Sequence, residues 1–249
     1  YSCAVTVASS VIGPIIPPSI SMIIYAVASG TSVGGLFMAG AVPGVLMGLF
    51  LMFMCYYQAS KQNFPTHPRA SLEEIWETFK STAVALIMPI IIVVGIGGGI
   101  FTATEAGAVA AFYALFLGMV LYKEISFSDL PDVFFDAAKT TANIVILLGA
   151  VQITSYIFAR EQIPHIFMKF ITSVAPGPIS FLLLLNAFLL FLGMFMPSAA
   201  AIVILVPVLM PAATALGIAP LHLGIIVVLN LILGNLTPPI GLTSFVVCD

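Results

Sequence analysis

The chain has 249 residues, of which 61% are hydrophobic and only 7% charged, with a formal net charge of -3. A water-soluble surface needs far more charge than this, so a soluble domain is excluded and an integral membrane protein is indicated. The charge is too small to argue for a nucleic-acid or other polyionic partner, and the long apolar runs do not alternate, so the spans are predicted to be helical.

The first apolar segment covers residues 3–28 and is broken at 13–18 by Gly13-Pro14-Ile15-Ile16-Pro17-Pro18. Proline removes a backbone donor and clashes with the preceding turn, so the pair interrupts the helix. A span is predicted at 35–57. The stretch 59–81 is read as a cytoplasmic loop and an interfacial helix. There Ser71 and Glu74 match a capping box, and Leu72, Ile75, Trp76 and Phe79 share one helical face. Two spans follow within 82–122, at 82–100 and 104–122, where Glu105 reads either as a functional intramembrane carboxylate or, the favoured reading, as a first-turn acid of the second span. Residues 129–159 read as a second arm, with Leu130, Val133, Phe134 and Ala137 on one side, followed by a span at 137–159. On that span Asn143, Gln152 and Thr154 are expected to make helix–helix contacts, with substrate binding as the alternative.

After a polar connection at 160–177, two apolar arms run over 178–196 and 199–217. A helix over 181–196 reaches about 24 Å, short of a hydrocarbon core of about 30 Å. The apolar link Met196-Pro197-Ser198-Ala199-Ala200 suits the tip of a re-entrant hairpin; the alternative is two tilted spans. The last segment, 221–247, is broken at 234–239 by Gly234-Asn235-Leu236-Thr237-Pro238-Pro239. Both breaks read G-x-x-x-P-P.

Lys61, Arg69, Lys80, Lys123 and Lys139 fall on one side of the membrane, against Arg160 and Lys169 on the other, so the first side is expected to be cytoplasmic. The two broken segments are then antiparallel, as an inverted repeat requires. Aligned on the prolines, Ser9 matches Asn230 and Gly13 matches Gly234. Non-helical backbone at membrane depth is tolerated where it is buried in protein or lines a polar cavity. Carbonyls at an exposed helix C-terminus suit Na⁺, and amides at an N-terminus suit an anionic group. Ser9, Ser10 and Ser19 flank the first break, and Asn230, Asn235, Thr237 and Thr243 the second. They either serve such sites or merely cap interrupted helices. Cys3, Cys55 and Cys248 read as small buried hydrophobes, and His67, His165 and His222 have no metal-ligand spacing. Neither a Walker A run nor H-E-x-x-H is present, so no enzyme is expected. The chain enters at Tyr1 directly into an apolar segment and stops at Asp249 just after one, so it is expected to be a fragment.

The run Ser9-Ser10-Val11-Ile12-Gly13-Pro14-Ile15-Ile16-Pro17-Pro18-Ser19 resembles the signature of the large membrane subunit of TRAP (tripartite ATP-independent periplasmic) transporters. Ala39-Gly40-Ala41-Val42-Pro43-Gly44, Gly99 to Ala106, Glu161-Gln162-Ile163-Pro164 and Leu229 to Leu242 resemble its pattern too. The likeness covers essentially the whole chain. It implies an all-α, multi-span, elevator-type transporter akin to the ion-transporter superfamily, with inverted repeats, broken helices and a re-entrant hairpin. Residues 1–249 would form a single, partial membrane domain, in which 1–58 close the first repeat and 178–249 hold the hairpin and broken helix of the second. The family's first hairpin is then expected before Tyr1 and a further helix after Asp249.

The resemblance also implies a Na⁺-driven importer of organic acids, of the C4-dicarboxylate or sialic acid class, in a bacterial or archaeal inner membrane. Its partners would be a small membrane subunit and a periplasmic solute-binding protein, with Na⁺ as coupling ion and no other cofactor. Carried over, one Na⁺ site involves Ser10 and Gly13, completed by the first hairpin, and a second involves Ser198, Gly234 and Thr237. The substrate would lie between the breaks, near Ser9, Pro17, Ser19, Pro197, Asn230 and Asn235. The hairpin tip, Gly193-Met194-Phe195-Met196-Pro197-Ser198-Ala199, departs from the acidic or glycine-rich tip of many members, so it does not name the substrate. A stand-alone Na⁺/anion symporter and a non-transporting scaffold subunit are the alternatives.

Overall fold

The computed structural model describes residues 2–62, 70–162, 166 and 177–238. Among these residues there is helix and turn but no strand. The helices are α1 (Ser2–Ser9), α2 (Ile20–Ser29), α3 (Val33–Gln62), α4 (Leu72–Gly97), α5 (Ala103–Phe116), α6 (Leu130–Arg160), α7 (Pro178–Gly193), α8 (Ser198–Ala215) and α9 (Pro220–Gly234). Val33–Lys61, Ala103–Leu121 and Ser198–Ala215 are long and apolar enough to cross a membrane. The bent pair Leu72–Lys80 and Thr82–Gly97 makes a fourth such element, while α2, α7 and α9 are shorter apolar helices. The expectation of an all-helical, multi-span membrane protein therefore holds.

The chain divides into two compact units, residues 1–48 with 141–249, and residues 49–140. The first unit contains both breaks and the α7–α8 pair. Within it α2 packs on α8 and α9, and α9 on α7 and α8. Buried there are Tyr25, Phe37, Phe181, Leu189, Ile202, Leu209, Leu223 and Leu231. Gly30, at φ 68°, closes α2 in the left-handed conformation that a residue without Cβ adopts freely, and its N–H caps Ala26 O.

In the second unit, Ser71 and Glu74 form the expected capping box: Ser71 N donates to Glu74 Oε2 at 2.8 Å and Glu74 N to Ser71 Oγ at 3.1 Å. The arm they start joins the following span through a 54° bend. Its stripe of Leu72, Ile75, Trp76 and Phe79 is exposed, with Trp76 and Phe79 stacked at 5.9 Å and Lys80 Nζ 5.3 Å from the Trp76 ring. Such a face suits the headgroup region. α4 packs on α5, and Tyr113 OH donates to Val84 O at 2.6 Å. Glu105 completes a second capping box, accepting from Thr102 N at 2.8 Å and Thr102 Oγ1 at 2.9 Å. It is a first-turn acid, as expected.

Boundaries differ from expectation in four places. α3 has 30 residues, about 45 Å of helix, and runs past the expected span 35–57. The interfacial arm is the first part of α4, and the second arm is continuous with α6. The first break opens at Ser10, earlier than 13–18. A proline ring clashes with the carbonyl four residues before it. Pro14 therefore ends the helix near Ser10, whereas Pro238 ends α9 at Gly234. The second break has Asn235 where the first has Pro14, and so starts later in the repeat. The far part of the second break, Thr243 included, lies outside the described residues. So do Arg69, His67, His165, Lys169 and most of the connection 160–177.

Candidate functional site

The first break is built by prolines and tied down by serines. Past Ser9, turns replace the helix, with Ile12 N donating to Ser9 O and Ile15 N to Ile12 O. Ser9 Oγ donates to Thr6 O at 3.0 Å and Ser10 Oγ to Val7 O at 2.7 Å, so both hydroxyls turn back onto α1. Gly13 is exposed, Pro17 is buried, and the Pro17–Pro18 peptide is cis. Ser19 is buried as the N-cap of α2, accepting from Met22 N at 3.3 Å while its hydroxyl donates to Pro14 O. A serine at this position satisfies one of the free amides of the helix start.

The segment lies against α3 through two glycines four residues apart. A Cβ on Gly40 would come within 2.3 Å of Met22 Cε and 3.2 Å of Ile15 O, and one on Gly44 within 2.7 Å of Ile16 Cγ1. This small-xxx-small spacing lets irregular backbone approach a helix closely. It gives the Ala39-Gly40-Ala41-Val42-Pro43-Gly44 run a packing role.

The second break meets the hairpin tip. α7 ends at Gly193, four residues (Met194 to Pro197) connect it to α8, and α9 ends at Gly234. The two terminal glycines touch. A Cβ on Gly234 would lie 2.7 Å from both Gly193 Cα and Leu190 O, and one on Gly193 would lie 2.7 Å from Leu231 O. Two helix C-termini thus converge with only backbone between them. Each carries carbonyls without intrahelical donors and a partial negative charge. One turn earlier, Asn230 is buried and its Nδ2 donates to Asn186 Oδ1 at 2.5 Å and to Ile226 O at 2.7 Å. Asn186 Nδ2 donates in turn to Leu182 O at 2.6 Å. At the tip, the Asn235 amide, oriented by its hydrogen-bonding surroundings, donates to Gly193 O at 2.8 Å and Met196 O at 3.2 Å.

The other expected site residues lie around this contact. Ser198 opens α8 and is half-buried, and Pro197 before it is exposed. Thr237 is exposed, with Oγ1 donating to Leu233 O at 3.3 Å. The structure therefore brings Asn230, Gly234 and Asn235 onto α7 and the tip, while Ser9 and Ser10 bond within their own segment. Tyr25 links the segments. It is fully buried, its OH donates to Pro220 O at 2.8 Å, and its ring lies where a Cβ on Gly224 would come within 2.5 Å of Cε1. α2, which follows the first break, is thereby held to α9, which precedes the second.

Sequence reasoning missed Asn186, Tyr25 and Gly224, and placed Gly193 in the hairpin tip without its contact to Gly234. A signal existed for the first: Asn186 is a lone amide inside an apolar run, and such residues usually find a partner helix. A double-mutant cycle on Asn186→Leu and Asn230→Leu in thermal unfolding should give a coupling of about 1 kcal/mol, within the range of intramembrane hydrogen bonds. Additive losses would mean that the two amides do not support each other.

Residues 1–249 match the family model described as "Tripartite ATP-independent periplasmic transporter, DctM component". The chain is 42% identical over 247 residues to the sialic acid TRAP transporter large permease protein SiaM of Vibrio cholerae, covering 99% of this chain and 58% of that protein. It is 41% identical over 231 residues to the 2,3-diketo-L-gulonate TRAP transporter large permease protein YiaN of Escherichia coli, covering 93% and 54%. It is 40% identical over 246 residues to the C4-dicarboxylate TRAP transporter large permease protein DctM of Pseudomonas aeruginosa, covering 99% and 58%. The chain spans a little over half the length of these relatives. With a match over its whole length and relatives about 40% identical, the chain belongs to the DctM component family of tripartite ATP-independent periplasmic transporters, a family of membrane permeases rather than enzymes.

Proposed function

We propose that this chain forms the ion- and substrate-carrying part of a Na⁺-coupled secondary transporter that imports organic acids across an inner membrane. The observation that carries this reading is the meeting of two helix C-termini at Gly193 and Gly234, within a unit that also holds the first break. Converging carbonyl ends favour a hard cation. Na⁺ there would use Ser198, Gly234 and Thr237, and a second ion would use Ser10 and Gly13.

The tip also offers the opposite polarity. α8 begins right after Pro197, whose side chain has no acceptor for the first amides of that helix. A helix start left in this way attracts an anion such as a carboxylate. Sialic acid, 2,3-diketo-L-gulonate and C4-dicarboxylates, named for the three relatives, are all carboxylates. We therefore assign a carboxylate-bearing substrate, held between the breaks near Ser9, Pro17, Ser19, Pro197, Asn230 and Asn235. A periplasmic solute-binding protein delivers it, and a small membrane subunit completes the complex. Residues 49–140, with their interfacial arm, supply the fixed frame of an elevator-type movement.

The test is uptake into proteoliposomes by the complete membrane subunit with its small subunit and binding protein. Labelled sialic acid and a labelled C4-dicarboxylate are offered separately, with and without an inward Na⁺ gradient. Uptake of one of them that needs both Na⁺ and the binding protein is the expected result. Uptake without the binding protein would instead mean a stand-alone symporter, and uptake indifferent to Na⁺ would overturn the ion coupling.

A further inference from the structure

We infer that Asn235 is a built-in placeholder for the coupling cation, an inference that rests on the ion-coupled reading above. The argument begins with the carbonyls at the end of α7. The last four carbonyls of a helix have no intrahelical donors, and leaving one unpaired in apolar surroundings is costly. The tip caps some of them itself: Met194 N donates to Phe191 O, and Phe195 N and Met196 N donate to Leu192 O. The carbonyls of Gly193 and Met196 are instead served by the Asn235 amide, at 2.8 and 3.2 Å. Asn235 belongs to the other break. Its own backbone N–H continues α9 by donating to Leu231 O at 3.1 Å. One side chain thus spans from the end of α9 to two carbonyls of the tip. At the matching place in the first break stands Pro14, which has no such group.

An amide suits this position because it has two faces. Its NH₂ carries two donors and its oxygen two lone pairs, and a half-turn about the last side-chain torsion exchanges them. With nitrogen toward the tip, both carbonyls are satisfied and no ion is needed. With oxygen toward the tip, three oxygens point at one another, an arrangement that a cation between them stabilises. The two rotamers therefore correspond to an ion-free tip, in which both faces of the amide are satisfied, and an ion-loaded tip, in which the NH₂ is turned toward donors and the ion has to offset that cost. The hairpin stays docked on α9 in both. Because the ion has to displace the amide donors, the site binds it more weakly than a bare carbonyl cluster would, which favours release at the end of each cycle.

The experiment is thermal unfolding of the complete membrane subunit, with the subunits that accompany it, in NaCl and in choline chloride at equal ionic strength. Asn235→Asp supplies oxygen but no donor. It should be strongly destabilised in choline and largely recovered in NaCl, so its Na⁺-dependent rise in Tm exceeds that of the parent. Asn235→Lys supplies a tethered cation. It should keep much of its stability in choline and lose its response to NaCl, with apparent Na⁺ affinity reduced about tenfold or more. If Asn235 serves only as a cap, each variant is shifted by the same amount in both salts, and the inference is overturned. Should one variant fail to fold in either salt, the other still decides, since a folded variant with the parental Na⁺ response contradicts the placeholder. A parent with no response to NaCl would sink the ion-coupled reading itself, whereas a responsive parent with unchanged variants removes this inference alone.

Discussion

Gly234→Ala is expected to destabilise the protein by about 3 kcal/mol, because the added methyl has nowhere to go. It would stand 2.7 Å from Gly193 Cα and from Leu190 O, and 2.9 Å from Gly193 C. These are backbone atoms of another helix, so no rotamer change relieves the overlap. α7 and α9 would have to separate, which weakens the Asn186–Asn230 pair and the grip of Asn235 on the tip together. Gly13→Ala is the matched control. Gly13 occupies the equivalent place in the first break, yet its nearest neighbour for a Cβ is Ser10 O at 3.9 Å and its φ is not positive. That substitution should leave stability within about 1 kcal/mol of the parent, with a gain as readily as a loss. Thermal unfolding of both variants in the same lipid or detergent checks the pair. Equal losses at the two glycines would mean that the close approach at Gly234 does not govern stability.

Tyr25→Ala is expected to cost about 4 kcal/mol, the range found when a large buried ring is removed. The ring is fully buried and touches α9 along Pro220 and Gly224, and its OH is 3.6 Å from Met210 Sδ on α8. Tyr25→Phe keeps the ring and loses the bonds of its OH to Pro220 O and, more weakly, to Met210 Sδ, so it should cost about 1 kcal/mol. Gly224→Ala drives a methyl into the same ring and into Leu36 Cδ2 at 2.8 Å, and should cost about 2 kcal/mol. Since the two changes address one contact, the double variant Tyr25→Ala with Gly224→Ala should be less damaged than the sum of the singles. Additivity in thermal unfolding would refute the ring-against-glycine lock between α2 and α9.

Much of the architecture was legible in the sequence because it depends on local chemistry. The apolar runs gave the helices, and the capping box at Ser71 that starts α4 was readable, while at Thr102 only the first-turn acid Glu105 was read and not the box that starts α5. The first proline of each break determines where the preceding helix stops. At the first break that proline was overlooked: the repeat pattern drew attention to Pro17 and Pro18, while the ring at Pro14 ends the helix sooner. The site was legible only in part. Gly13 and Gly234 look alike in their motifs, but one is roomy and exposed and the other is pressed against Gly193. That difference is created by α7, and no pattern within the motif carries it. The Asn186–Asn230 pair joins residues 44 positions apart, and Tyr25 meets Pro220 across 195. Local spacing is silent on contacts of that range. Asn235 was read as a substrate ligand from its place in the break, and its bonds to Gly193 O and Met196 O became visible only once the tip was in place.

The order in which the polypeptide is made gives the α7–α9 contact a further consequence. α7 leaves the ribosome well before α9, and until α9 arrives Asn186 has only Leu182 O within its own helix to bond. Its carbonyl oxygen, which later accepts from Asn230, and the bare end of the helix at Gly193 must wait. A short helix with unmatched polar groups is a poor candidate for release into lipid by itself. The hairpin is therefore expected to linger at the insertion machinery, or against chain already in place, until α9 docks and the two enter the bilayer as one piece. Release of the nascent chain into lipid would be timed by synthesis of Gly234 rather than of Gly193.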